Sequence, residues 1–354
     1  MESRDRSDDR VSRVRWKASK LLRTLRTNRC NECWLLRCFA DLVTEMGARF
    51  FLLFLACATC RLAHSDERVI DGVDESMAAP HGRGNVYAPH LIRYQGEWLM
   101  YFGGQGRDGH DRIHLATSDD REQWRQEGVV FAPRGINHVN DPSVVVLEDR
   151  LFMFYTRART GITDSIGLAT SRDGRTWIDQ GSVLLPSPKP AWDSLLVGRP
   201  SVMHDGEQFR MWYDGRKDLP IGSPDQEAPK SSQSRRFVGY ATSVDGRTWK
   251  KHKTVVFGDD SGGVDVTRIS DQLVMLIESR VGTRWATSQN GIQWKARGVL
   301  RAKDRESPFG HVTPFLNVAN GSIRLYYGAA LSNSWDQNSI YSIDLKRSLL
   351  DHGP

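Results

Sequence analysis

The chain has 354 residues, a formal net charge of +6 and five cysteines, and both the excess charge and the cysteines belong to its first 64 residues. Residues 1–64 hold thirteen basic and seven acidic side chains together with Cys30, Cys33, Cys38, Cys57 and Cys60. The remainder of the chain, 65–354, carries 36 basic and 36 acidic residues and no cysteine. The charge is therefore no evidence for a nucleic-acid-binding face on the body, and a disulfide scaffold and a Cys-ligated zinc site are excluded from it.

In chain order, the first feature is the apolar run of eleven at 50–60. A bilayer span needs about 20 such residues, so this is too short to cross a membrane. It fits the hydrophobic region of a secretory signal, with Arg49 before it and Ala56, Cys57 and Ala58 as a small-residue cleavage site. The Arg-rich stretch before Met46 is unlike a short signal n-region, and Met46 is an alternative start. Phe-Leu-Ala-Cys57 weakly resembles a lipoprotein signal, which would add a lipid anchor. The competing reading is a buried helix of the fold. Export, to a secreted or periplasmic location, is the expectation, and a cysteine-free body suits an oxidising compartment. The chain divides into an N-terminal extension, 1–64, and one folded domain, 65–354.

That domain repeats itself. Ala116 to Trp124, Ala169 to Trp177, Ala241 to Trp249 and Ala286 to Trp294 are four copies of Ala-Thr-Ser, then Asp or Asn two residues on, then Trp four further. A second repeat precedes each copy: X-Pro, a short apolar strand, a polar turn, and a strand rich in aromatics. It begins at Ala88-Pro89, Asp141-Pro142, Arg199-Pro200 and Thr313-Pro314, with a divergent copy around Val264 to Leu276. Short strands with Gly/Asp/Asn turns at this spacing predict antiparallel hairpins. Four strands in each unit of about 50 residues describe a propeller blade. The fold class is all-β, a five-bladed β-propeller of four-stranded antiparallel blades. The last unit lacks its outer strand, which residues 66–86 are expected to supply, closing the ring. Ser and Asp in the repeated turns bond backbone, Gly takes the positive φ, and Trp packs between sheets.

These Ser-x-Asp-Gly-x-x-Trp turns, with strand-initial Asp-Pro and Arg-Pro, resemble the five-bladed glycosidase superfamily of glycoside hydrolase families 43, 32 and 68. The resemblance covers nearly all of 84–345. It implies carbohydrate as the partner and three axial carboxylates: a base or nucleophile Asp from blade one, a modulating Asp from blade two, an acid Glu from blade three. Asn140-Asp141-Pro142 matches in blade two. Ala88 stands where the first Asp is expected, and Gly198-Arg199 where the Glu is. The turns also resemble the sialidase Asp-box, one residue shorter between Asp and Gly.

Glycosidic cleavage needs one protonated and one ionised carboxyl group flanking the bond. Asp141 is the leading candidate for the ionised group, and Glu278 for the proton donor unless it is ion-paired with an arginine. Asp265 and Asp214 are further catalytic candidates. Arg159, Arg199, Arg216 and Arg280, with His90, His311 and Trp335, are expected to bind substrate. Such arginines suit an anionic or hydroxyl-rich ligand, or simply neutralise the pocket's own acids. The histidines lack metal-ligand spacing, so no metal and no cofactor is expected. The Pro/Ser-rich insert from Lys217 to Arg236 lies on the binding face. The expectation is an exported, monomeric glycoside hydrolase acting on an oligo- or polysaccharide. The alternatives are a non-catalytic carbohydrate-binding propeller and a sialidase-like enzyme on an anionic sugar.

Overall fold

The computed structural model describes residues 66–72, 84–105, 109–159, 162–216, 236–258, 261–319, 321–333 and 335–351. The signal-like segment, Arg107, Asp108 and all but the last residue of the polar insert lie outside them. Among the described residues, no helix is long and apolar enough to cross a membrane.

Among the described residues, twenty strands form five four-stranded antiparallel sheets. Blade one is β2 (Val86–Tyr94), β3 (Glu97–Gln105), β4 (Asp111–Ser118) and β5 (Arg125–Phe131). Blade two is β6 (His138–Leu147), β7 (Arg150–Arg159), β8 (Ile162–Ser171) and β9 (Ile178–Leu184). Blade three is β10 (Leu196–His204), β11 (Phe209–Arg216), β12 (Phe237–Ser243) and β13 (Lys250–Lys251). Blade four is β14 (Val264–Ile269), β15 (Gln272–Ile277), β16 (Gly282–Ser288) and β17 (Lys295–Ala302). Blade five is β18 (His311–Ala319), β19 (Ser322–Ala330) and β20 (Asn338–Leu345), and its outer strand is β1 (Glu67–Ile70), from the other end of the domain. Glu67 pairs with Ser342 and Ile70 with Ile340, which closes the ring as the missing fourth strand predicts. A short helical turn, α1 (Ser348–Asp351), comes after β20.

The repeated turns hold neighbouring blades together. Asp173 Oδ1 accepts the backbone N–H groups of Arg175 and Thr176 at 2.8 and 2.7 Å, and Asp245 and Asn290 do the same in their turns. In blade one, Arg121 takes the left-handed conformation that glycine takes elsewhere, with φ of 72°. Three of the turn tryptophans meet an aromatic of the preceding blade: Tyr101 with Trp177 at 5.5 Å, Phe154 with Trp249 at 5.5 Å, Trp212 with Trp294 at 6.1 Å. Tyr101 and Trp212 also donate across the same junctions, to Gly174 O and Gly291 O at 2.8 Å each. Apolar clusters fill the spaces between sheets and bury these rings, so the core is a ring of inter-blade seams around the axis.

Candidate functional site

The five innermost strands share one backbone device. Ala88, Asp141, Arg199, Gly263 and Thr313 all have positive φ, between 40° and 54°. In four of them a proline comes next, and the pairing with the second strand slips there, as between Asn140 and Ser143. Such bulges re-aim a side chain, and a left-handed non-glycine residue costs roughly 1–3 kcal/mol. The re-aimed residues line a cavity on the propeller axis, together with His90, Ser143, Asp265 and Phe315.

This register fixes the place of Asp265, which the divergent blade-four copy leaves open by about two residues in the sequence. In blade four the equivalent of Asp141 is Gly263, and Asp265 lies two residues deeper, level with His90, Ser143, Ser201 and Phe315. There Asp265 joins blades. Its Oδ1 accepts the Ser201 hydroxyl at 3.2 Å and its Oδ2 accepts Leu316 N–H at 3.1 Å. Ser143 and Ser201 do the same work, accepting Val202 N–H and Val266 N–H. Burial pushes the Asp265 carboxyl up to about 7.

Above this ring lies a charge cluster. Arg199 Nη1 and Arg216 Nη2 both donate to Asp214 Oδ2, at 2.8 and 2.9 Å. Arg236 is ion-paired with Glu278 Oε1, while Glu278 Oε2 accepts Thr313 N–H at 3.1 Å. Both carboxylates are only 1 % exposed. Burial alone would raise them, but Arg216, Arg199 and Arg236 hold Asp214 below the usual range, and Arg236 and Arg199 do so for Glu278. A side chain at Gly263 could not coexist with this arrangement, because its Cβ would fall 2.3 Å from the Glu278 carboxyl.

Asp141 differs from both. It is buried, and its Oδ1 has no hydrogen-bond partner among the described residues. Burial pushes its carboxyl up to about 6, against the pull of Arg199 and a hydrogen bond from Thr156, and the charges of Glu278 and Asp111 push the same way as burial. Glu278 thus takes the ion-paired alternative open to it in the sequence, and burial favours the protonated form of Asp141.

The other expected contacts divide. Arg199 reaches the axial cavity and is about a third exposed at its side chain. Arg216 is spent on Asp214, the plainer, neutralising role among those expected of it. His90 lines the cavity, with Nε2 3.0 Å from Val144 O and its ring against Phe315. Arg280 lies over the Trp335 ring at 4.9 Å and donates to Asn333 Oδ1 at 2.8 Å. Trp335 is half-buried on the blade-five loop and donates its indole N–H to Phe309 O. Arg159 ends β7, and its side chain lies outside the described residues. His311 does not meet the expectation of a sugar contact. It is fully buried, stacked on Tyr327 at 3.8 Å, and both ring nitrogens engage hydroxyls, those of Thr283 and Ser307.

Further residues complete the site, of which Asp111 and His138 are placed on this face by the sequence and Thr156 is not. Thr156 accepts Arg199 N–H at 2.7 Å and Thr313 accepts Ala88 N–H at 2.8 Å, each holding the next blade's bulge. Arg236 has one signal, its place at the end of the insert. At the blade one–two junction, Asp111 Oδ2 accepts the Tyr87 hydroxyl at 3.1 Å, Tyr87 accepts from Asn140 at 2.8 Å, and His110 and His138 lie 3.2 Å apart. Among the described residues, no group of three or more His, Cys, Asp or Glu is placed to hold a metal ion.

No family model matches the sequence. Two uncharacterized proteins of Mycobacterium tuberculosis, from strains CDC 1551 and H37Rv, are 25% identical over 253 residues, covering 62% of this chain and 80% of theirs. Among solved structures, a glycoside hydrolase superposes with a TM-score of 0.63 at 18% identity, covering 80% of this chain and 92% of its own. A family 117 glycoside hydrolase of the marine bacterium Zobellia galactanivorans gives 0.59 at 15% identity, with 79% and 89% covered. A thermostable family-43 glycoside hydrolase gives 0.57 at 11% identity, with 74% and 89% covered. The fold is therefore the five-bladed propeller that these glycoside hydrolases share.

Proposed function

We propose that the protein is an exported, monomeric glycoside hydrolase that cleaves a glycosidic bond in an oligo- or polysaccharide at its axial pocket, with Asp141 as the proton donor. The observation that carries this reading is the buried Asp141 carboxyl, raised to about 6 and with one oxygen unpartnered, at the start of a strand on the axis. A carboxylic acid that stays protonated near neutral pH can give its proton to a leaving oxygen. Arg199 beside it and the Arg280–Trp335 pair on the rim suit a polyhydroxylated ring, through a planar donor fork and an aromatic face. The segment at 50–60 supports export on composition alone.

A second reading has its own observation. Asp214 and Glu278 are consumed by arginines, as they would be in a carbohydrate-binding propeller that no longer turns over. A glycan array with reducing-end product analysis, on wild type and Asp141→Asn, separates the two. Product from wild type and about 10²–10⁴-fold less from the variant supports hydrolysis. Equal binding by both proteins with no product from either supports the binding module.

A further inference from the structure

Hydrolysis as proposed needs an ionised partner for Asp141, and the two buried carboxylates suit the task poorly. Asp214 and Glu278 are 1 % exposed and already accept from arginines and, for Glu278, from Thr313 N–H. Blade one has Ala88 at its strand start and supplies no carboxylate there. The residues around that gap bring one in from the side.

We propose that Asp111, the first residue of β4, is the general base opposite Asp141. The inference rests on the glycosidase reading. Asp111 Oδ2 accepts the Tyr87 hydroxyl at 3.1 Å and lies 3.5 Å from Asn140 Nδ2 and 3.3 Å from His138 Nδ1. Tyr87 immediately precedes Ala88, and Asn140 immediately precedes Asp141. The carboxylate is thus held by the two residues flanking the strand starts of blades one and two. It remains 17 % exposed, where Asp214 and Glu278 are 1 %. Its charge reaches both neighbours, adding to the burial that raises the pKa of Tyr87 and of Asp141. The Tyr87 ring packs closely on Gly103, where a Cβ would come 3.3 Å from its Cζ.

In the step this allows, Asp111 takes a proton from a water whose oxygen attacks the anomeric carbon. The bond from that carbon to the leaving oxygen breaks as Asp141 delivers its proton to that oxygen. One water is consumed and two hydroxyl products leave, with Asp111 protonated and Asp141 ionised. The proton on Asp111 has an exit through His138, whose proton affinity that carboxylate raises, to His110 at 3.2 Å, while solvent reprotonates Asp141. A base acting on water rather than a nucleophile acting on carbon gives inversion of the anomeric centre.

The test uses the intact protein, wild type and the Asp111→Asn, Asp111→Ala and Asp141→Asn variants, on a panel of 4-nitrophenyl and 2,4-dinitrophenyl glycosides. Proton NMR identifies the first anomer formed, and thermal melting checks that each variant folds. The expected result is inversion by wild type, a loss of about 10²–10⁴-fold in kcat for Asp111→Asn on both leaving groups, and partial rescue of Asp111→Ala by azide. Asp141→Asn is expected to lose far less on the dinitrophenyl substrate, whose leaving group needs no acid. An active wild type with Asp111→Asn within threefold of it overturns the assignment and leaves the glycosidase reading standing. Retention of configuration also overturns the role as base. No release by a folded wild type on the whole panel overturns the glycosidase reading, and this inference with it.

Discussion

Arg236 and Glu278 form an ion pair between the strands of blades three and four, with their side chains 2 % and 1 % exposed. Arg236 stands just before β12, and Glu278 just after β15. Through its other oxygen Glu278 also accepts Thr313 N–H in blade five. Three blades therefore meet at one carboxylate. Removing its charge leaves a guanidinium buried beside a neutral amide, which typically costs about 3–5 kcal/mol. Glu278→Gln is expected to show that loss in urea unfolding. The double variant Arg236→Met/Glu278→Met is expected to recover a large part of it, because neither charge then remains to be desolvated. If the single variant unfolds at the same denaturant concentration as wild type, the pair is not a structural tie.

The two buried axial acids act on stability in the opposite direction. Asp265 and Asp141 have carboxyls raised to about 7 and about 6, both by burial. An acid whose folded value lies above its unfolded value binds its proton more tightly in the folded state. The stability it contributes is complete below about pH 4 and is lost as pH rises through 6 and 7. Asp265→Asn keeps an acceptor for Leu316 N–H and cannot ionise. It is expected to melt with wild type at pH 4 and above it at pH 8, by an amount on the order of 3 kcal/mol. Equal melting temperatures at pH 8 would show that Asp265 titrates normally.

The blade architecture is legible in the sequence because its determinants are local. A Ser, an Asp two residues on and a Gly after it fix a turn by bonding their own backbone, so Asp173 and Asp245 announce themselves wherever they fall. The closing role of residues 67–70 comes from counting, since one unit lacks a strand. The axial register is less direct. Sequence alone leaves the position of Asp265 open by about two residues because blade four has Gly263 where the other blades have X-Pro, and no proline marks the bulge. That the pocket's acids can meet arginines is legible, but which arginine takes which acid is not. Arg199 and Asp214 lie 15 residues apart on neighbouring strands, and Arg236 and Glu278 are 42 apart in different blades. Their pairing depends on which side chains the bulges turn inward.

The turn glycines separate two costs that are often confounded. Gly291 has φ of 79°, and a Cβ there would lie 2.6 Å from Arg210 Nη2 and from Trp212 Cζ2. Gly321 has nearly the same φ, 77°, with nothing within 4 Å of its Cβ position. Gly321→Ala therefore carries the backbone strain alone, roughly 1–2 kcal/mol. Gly291→Ala adds displacement of the Trp212 ring from the blade three–four seam and is expected to cost about 1–3 kcal/mol more. Chemical denaturation of the two variants measures the difference. Equal losses would mean that the seam adjusts freely around the added methyl group.

His311 offers a prediction that divides packing from recognition. Its ring stacks on Tyr327 at 3.8 Å with an interplanar angle of 21°, and both of its nitrogens engage hydroxyls. Burial, with some help from the Arg301 charge, lowers its value to about 3. A histidine that folds neutral loses ground when acid can charge the unfolded chain. Its contribution is intact above about pH 6.5 and is lost as pH falls toward 3. His311→Phe keeps the stack and removes the titration but strands the Thr283 and Ser307 hydroxyls, at a cost of about 1–3 kcal/mol at pH 8. Its stability is then expected to fall less steeply than that of wild type between pH 6.5 and 4.5, measured by thermal melts across that range. Glycan binding should not change, because the ring lies in the wall of blade five. A variant that folds well at pH 8 yet loses binding would return His311 to the carbohydrate site.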